Sequence, residues 1–412
     1  MEIRPIISAL LRSKTGAILV ALQVALSLAI LSNALHIVSE RQAVAARPSG
    51  IADEGDVFHI RVRHLVDASH QEQLARQQAE TLALRAIGGV ASTAFANQAP
   101  MSQSGWSSLI TAGRAKGSNS SLASMYYSGD SLVKTWGLTL VEGRDLTAAD
   151  VVDIDGNTSP DSLFPRSVLV TRALAAKLWP GAGQVLGQTL YFGNEADANA
   201  ATVVGVIATL QSPSAQASDA GGFALVAPMR KTSDSTMFTV RAEAGERERV
   251  MKEADAAMRA ANQGRAIISM KNVKQDRKER YRADLALAWM LIAVSVLLLF
   301  ITASGIVGMA SLWVTQRRKQ IGVRRALGAR RGDILRYFIT ENFIITSVGV
   351  LCGVAMAVAL NQLLVAQLEM ARLPPSYLMG GACVFWALGV AAVYGPAWRA
   401  ASISPATATR SA

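Results

Sequence analysis

The ATPase signature to look for first is the P-loop, G-x-x-x-x-G-K-[ST]. Its backbone N–H groups cradle the phosphates, its lysine neutralises them and its hydroxyl holds Mg²⁺. The nearest glycine pair here, Gly113 and Gly117, is followed by Ser118 instead of lysine, so the sequence offers no basis for nucleotide hydrolysis. His59, His64 and His70 are the only clustered metal-ligand types, and their spacing matches no zinc pattern. On a strand His59 and His64 would face opposite sides, so all three read as surface or half-buried histidines. The acidic pairs Asp53/Glu54 and Asp153/Asp155 sit in turn-rich sequence and read as solvated loops. Cys352 and Cys383 lie inside apolar runs and read as core thiols that cannot staple a polar domain. No catalytic, cofactor or metal site is expected in this chain.

One segment does carry a pattern. Residues 317–343 read R-R-K-Q-I-G-V-R-R-A-L-G-A-R-R-G-D-I-L-R-Y-F-I-T-E-N-F. Ile321, Val323, Ala326 and Leu327 place apolar groups among arginines on a short helix-capable stretch. Gly328 suits a helix end, and Asp333 can cap a new helix. A plain positive-inside loop accounts for the arginines but not for the apolar spacing, and both readings stand at this point.

The elements that must hold this segment follow from composition. Of 412 residues, 51% are hydrophobic and 17% charged, below the roughly 25% charge usual for soluble domains. That argues against a disordered chain or a nucleic-acid-binding tail. Residues 39–284 hold 26 of the 30 acids and 27 of the 41 bases, a nearly neutral block, and the flanks are apolar with basic patches. Four stretches reach the ~20 residues needed to cross a bilayer as helix: 16–38, 285–314, 343–366 and 377–395. None carries an acid or base inside these bounds, unlike the pathways of ion-coupled carriers. Of the 14 bases outside the polar block, 13 fall on one side if both termini are cytoplasmic, and only Arg372 falls in the 367–376 outer loop. This places 1–15, 315–342 and 396–412 in the cytoplasm and 39–284 outside it. A signal peptide ending near Ala43 and Ala45 is disfavoured because the apolar core exceeds the usual ~7–15 residues. Gly349, Gly353 and Ala357 form a small-xxx-small stripe on the third span, suited to close helix packing.

The polar block reads as two β-α-β halves around an insertion, a split ferredoxin-like α+β arrangement. Val57–Arg63, a helix over Asp67–Ile87 and Val90–Phe95 form one half, within 57–97. Met237–Ala242, a helix over Ala244–Ala261 and Ala266–Met270 form the other, within 236–270. The middle, 98–230, holds short β runs at Ser167–Thr171, Gln188–Phe192 and Thr202–Ile207. Gly113–Ser121, Asp155–Ser162 and Ser212–Gly222 read as mobile loops, and Lys271–Arg282 reads as a charged lead into the second span, continuous with it as helix.

With these residues in view, the arginine-rich segment resembles the loop R-x-x-E-I-G-[IV]-R-[RK]-A-[LI]-G-A-[RS] of FtsX-like ABC permeases of the macrolide-exporter (MacB) type. Gln320 stands where that family commonly has Glu. Pro396–Arg410 is similar to its closing P-A-x-x-A-x-x-x-x-P-x-x-A-x-R. Val141–Asp145, Ser167–Thr171, Leu178–Pro180, Leu186–Thr189 and Val203–Val206 resemble L-x-x-G-R, V-x-[IV]-[NT], L-[FW]-P, [IL]-G-Q-x-[IL] and V-[IV]-G-V of its periplasmic core. The resemblance covers essentially the whole chain in order.

The resemblance implies a four-span α-helical permease of a bacterial inner membrane with a large α+β periplasmic domain, lying among membrane lipid and working as a dimer with a second permease copy. ATP and Mg²⁺ would be bound by a cytoplasmic ABC ATPase dimer. With 15 residues ahead of the first span, that cassette is expected to be a separate subunit. Cassette closure would push the coupling segment Ile321, Gly322, Val323, Arg324, Arg325, Ala326, Leu327 and Gly328 and move the second helix, a mechanotransmission permease for efflux or export of a drug, peptide or lipophilic substrate. Ile321, Val323 and Leu327 are its expected anchors. A periplasmic adaptor and an outer-membrane channel are left open. The rivals are a lipoprotein-releasing permease, a cell-division permease, which usually has a much smaller outer domain, and a membrane-anchored sensor or adhesion protein.

Overall fold

The computed structural model describes residues 14–155, 164–195, 197–261, 264–368 and 371–402. Along the chain it forms α1 (Lys14–Ala45), β1 (Val57–His64), α2 (His70–Arg85), β2 (Val90–Ala96), β3 (Ser107–Thr111), β4 (Ser120–Ser128), α3 (Leu132–Trp136), β5 (Leu140–Gly143), β6 (Val152–Ile154), β7 (Ser167–Thr171) and α4 (Arg172–Leu178). It continues through β8 (Thr189–Phe192), β9 (Asn199–Ile207), β10 (Ala224–Lys231), β11 (Ser235–Ala242), α5 (Arg247–Ala261), β12 (Arg265–Asn272), α6 (Val273–Arg280), α7 (Arg282–Gln316), α8 (Arg318–Ala326), α9 (Arg331–Leu368) and α10 (Pro375–Ala401). Two compact units result: Val44–Ala283, and the described residues up to Ala43 with those from Asp284 onward.

In the polar unit, β1-α2-β2 and β11-α5-β12 interleave in one antiparallel sheet of order β12-β1-β11-β2. Alternation in β1 sends Phe58, Ile60 and Val62 to the face covered by α2 and α5, where they meet Leu84, Phe238, Val250 and Met258. The helix α2 starts later than its composition suggests because Ser69 and Glu72 form a capping box: Glu72 Oε2 accepts from the Ser69 N–H at 2.9 Å.

The insertion is a closed ring of six strands, β4-β3-β8-β9-β7-β10, sealed by parallel pairing of β10 with β4. Closure leaves none of the six with a free edge along its full length. The interior holds Ile110, Val168, Val170, Leu190, Val203 and Leu225. Ser212–Gly222, expected as a mobile loop, is packed: Ala215 is buried, and Arg280 donates to the Ser214 and Ala215 carbonyls. Most of Asp155–Ser162 lies outside the described residues, as do residues 1–13 and 403–412.

The second unit contains four helices long and apolar enough to cross a membrane, α1, α7, α9 and α10. The bounds differ from the apolar stretches in one respect that matters for function. The helix α9 begins at Arg331, so it carries Arg336 and Glu341 ahead of the uncharged run. The lead into α7 is also broken. Lys271 and Asn272 belong to β12, Asn272 caps α6 by accepting from Gln275 N–H at 2.7 Å, and Tyr281 separates α6 from α7. Tyr281 turns inward, 2% exposed, and donates its hydroxyl to Gln211 Oε1 at 3.2 Å.

Candidate functional site

The arginine-rich connection folds as one short helix between two breaks. The helix α8 ends in a Schellman arrangement: Ala329 N–H donates to Arg324 O at 3.0 Å and Gly328 N–H to Arg325 O at 3.2 Å. Gly328 has φ +98°, which an L-residue adopts only at a cost, so glycine here sets where the helix stops. Asp333, expected as the cap of α9, occupies its third position instead and reaches back to accept from the Arg330 N–H at 2.9 Å. The carboxylate still satisfies an orphan donor, from inside the helix rather than ahead of it.

The eight residues of the segment do not share one environment. Ile321 is 5% exposed and packs in the cluster of Trp313, Ile334, Phe338, Ala397 and Ala400; Gly322 is buried too. Ile321 is therefore an anchor of α8 to its own bundle and not a free docking residue, because the helix turns its 321 edge toward α9 and α10. Val323 and Leu327, one turn apart, are 54% and 84% exposed. Arg324 and Ala326 are exposed and Arg325 is partly covered. The Arg324 guanidinium lies over the Tyr337 ring at 5.1 Å.

An ion pair that composition does not reveal fixes this geometry. Arg317 Nη1 donates to both oxygens of Glu341, at 2.9 and 2.7 Å, and Glu341 is 1% exposed. The pair ties the α7–α8 junction to α9. Its sequence signal was an isolated acid, followed by Asn342, immediately before an uncharged run. Asn342 is also buried and donates to Gly389 O on α10 at 2.9 Å.

The stripe on α9 faces α1. A Cβ at Gly349 would stand 2.8 Å from the Ala21 carbonyl oxygen, and one at Gly353 2.9 Å from that of Ala25. Ala357 is fully buried, and its carbonyl accepts from Asn33 Nδ2 at 3.1 Å. Small residues at these three positions allow backbone-to-backbone approach.

Far along the chain, the polar unit has its own arginine hub. Arg277 on α6 pairs with Glu54 and donates to the carbonyls of Ala45 and Arg47, each at 2.8 Å. Glu54 is thus not in a solvated loop. Burial raises its pKa, but bonds from Arg277 and Ser49 outweigh this and hold it below the usual carboxylate range. Gln211 completes the hub: its Nε2 donates to the Arg47 and Pro48 carbonyls at 3.0 Å.

His59 is 5% exposed, against the expectation of a surface or half-buried residue, because its side of β1 is covered by α6. Burial drives its pKa down to about 3, with Arg61 adding to the effect. Asp276 stands 4.0 Å away, raised to about 6 chiefly by burial. Among the described residues no group of three His, Cys, Asp or Glu side chains could hold a metal ion.

Residues 24–257 match the model of the MacB-like periplasmic core domain, and residues 292–405 that of the FtsX-like permease C-terminal region. The chain belongs to the MacB-like periplasmic core domain family. It is a membrane protein whose C-terminal region is FtsX-like and whose polar unit carries most of the match to the MacB-like periplasmic core domain. It is 26% identical over 295 residues to the macrolide export ATP-binding/permease protein MacB of Chromobacterium violaceum, covering 69% of this chain and 42% of that one. It is 38% identical over 124 residues to the protein of the same name in Bradyrhizobium diazoefficiens, 30% of this chain and 19% of that one. The pyoverdine export ATP-binding/permease protein PvdT of Pseudomonas syringae pv. tomato is 30% identical over 165 residues, 39% of this chain and 25% of that one. The chain spans less than half the length of these relatives.

Proposed function

We propose that this chain is the permease of an ABC exporter, driven through α8 by a cytoplasmic cassette ATPase and working as a pair of permease copies in the inner membrane. Movement of α8 would pass along α7 to the periplasmic core domain, which would handle a lipophilic, drug-like or peptide cargo. ATP and Mg²⁺ would be bound by the cassette. The observation that carries the reading is the split environment of α8. Ile321 and the Arg317–Glu341 pair hold the helix to the bundle, and Val323 and Leu327 project from it. A mere topology signal needs charge but no such projecting apolar pair on an anchored helix. The names of the relatives, macrolide and pyoverdine export proteins, support the exporter class.

The test purifies the full chain from its host and reads ATP hydrolysis in the eluate. Burying Val323 and Leu327 against a cassette is worth roughly 2–4 kcal/mol together, on the order of a hundredfold in affinity. Val323→Ser/Leu327→Ser should lose the activity at matched expression. Leu327→Glu should lose it further, since a buried unpaired carboxylate is added. Undiminished hydrolysis with both variants would leave α8 as a topology signal only.

A further inference from the structure

The core domain contains a cleft of about 490 Å³ beside its arginine hub, lined in part by Arg47, Pro48, Ala173, Lys177, Gln211 and Phe223. Sequence makes the space. On α4 the outward positions one turn apart are alanines, Ala173 and Ala176, both exposed. Opposite them, a Cβ at Gly222 would come within 3.6 Å of the Ala173 methyl, so glycine there keeps that end from closing. Pro48 and Phe223 extend the apolar walls.

The charges are unequal: Arg47 and Lys177 against Asp219 alone. Arg47 is held in place, its Nη1 donating to the Ser218 carbonyl at 3.3 Å. The volume falls in the ~300–1,000 Å³ range of small-molecule sites, which combine apolar walls with a few convergent polar groups.

We propose that this cleft binds a small organic anion with an apolar body. Apolar walls favour a ring or short chain, and the excess of cations selects a negative head over a neutral or positive one. An occupant would lie against Gln211, which also bonds Tyr281 and the carbonyls of Arg47 and Pro48, so it would touch the hub where the chain enters and leaves the core domain. That such an anion is cargo rests on the exporter reading; that it binds here does not.

The test uses the full chain in phosphatidylcholine nanodiscs, with Cys352→Ala and Cys383→Ala to remove native thiols and Ala173→Cys as reporter. The rate of thiol modification by neutral methyl methanethiosulfonate is measured against two probes of one scaffold. 8-Anilinonaphthalene-1-sulfonate carries the sulfonate, and N-phenyl-1-naphthylamine lacks it. Free probe is corrected with empty nanodiscs, and Ser120→Cys serves as a remote control. The sulfonate should protect Ala173→Cys at about fivefold lower free concentration than the neutral probe, the scale of one charge contact near the surface. Lys177→Gln should erase that difference, each protection being referred to that variant's own unprotected rate because the lysine also favours the reactive thiolate. Equal protection by the two probes would overturn the anion preference. No protection at Ala173→Cys, repeated with Thr209→Cys on the facing wall, would overturn the site. Neither readout involves a cassette, so failure of the exporter reading would show in the ATP-hydrolysis test and leave these rates unchanged.

Discussion

Removing either member of the Arg317–Glu341 pair should do more damage than removing both. Glu341 is 1% exposed and takes both hydrogen bonds from one guanidinium nitrogen; the Arg317 side chain is 17% exposed. Glu341→Leu leaves a largely desolvated cation, and Arg317→Met leaves a desolvated carboxylate. Each uncompensated charge costs about 3–5 kcal/mol. The double replacement Arg317→Met/Glu341→Leu, close in volume, removes the desolvation penalty with the attraction and should lie within about 1–2 kcal/mol of the parent. Reversible unfolding of the full chain in mixed micelles measures all four corners of the cycle. If the single losses simply add in the double variant, or if each stays below about 1 kcal/mol, the pair does not fix α8 and this reasoning fails. A second readout separates anchoring from general stability: hydrolysis in the co-purified eluate should fall for the single variants even at temperatures where they remain folded.

The other predictions test packing and buried ionisation. Gly353→Leu should break the approach of α9 to α1 and cost at least about 3 kcal/mol, whereas Gly308→Leu, with open space around its Cβ direction, should be nearly neutral; the same unfolding assay decides. Ile321→Ser should destabilise α8 by about 2–4 kcal/mol, as a core residue would, visible as faster proteolysis of the 317–331 connection. His59 and Asp276 should give opposite pH slopes. Because the folded pKa of His59 is depressed to about 3, its contribution is present above its unfolded pKa and lost as pH falls below it, at up to ~1.4 kcal/mol per pH unit. Because that of Asp276 is raised to about 6, its contribution is present at low pH and lost as pH rises through 6. Asp276→Asn should therefore leave a core domain that weakens on acidification from pH 6.5 to 4, and His59→Gln one that strengthens; like slopes in the two variants would refute the assignment.

Apolar length, strand alternation and a lone glycine after a helix are local signals, and those features could be read without coordinates. The features that could not be read join distant segments. Closure of the strand ring depends on β10 pairing with β4, about a hundred residues earlier, and parallel pairing leaves no hairpin signature. Glu54 looked solvated because its neighbours are turn formers, but Arg277 lies 223 residues away and supplies the charge that makes burial tolerable. Glu341 was missed for a related reason. Counting charge within an apolar window treats the flank as loop, yet the helix runs through the flank, and a carboxylate there is buried once Arg317 reaches it. The role of Ile321 is hidden in the same way. Apolar residues among arginines mark a two-sided helix, but only the fold shows which side is already occupied.

These paired charges bear on how force could travel in the proposed exporter. Much of α7 is left uncovered by the other helices of this chain, with Trp289 and Phe300 each 69% exposed. Its buried positions are mostly small or polar, with Ser27 and Thr302 sharing a hydrogen bond of 2.9 Å to α1. Its ends are held differently. Near the start, Asp284 pairs with Arg41 of α1, and after the end Arg317 pairs with Glu341 of α9. Just before the start, Tyr281 breaks the helix and is buried, and Arg277 binds the carbonyls that follow α1. A rod gripped at its ends and loosely packed between them transmits displacement with little loss to side-chain repacking. Pinning its middle should therefore impair coupling more than stability.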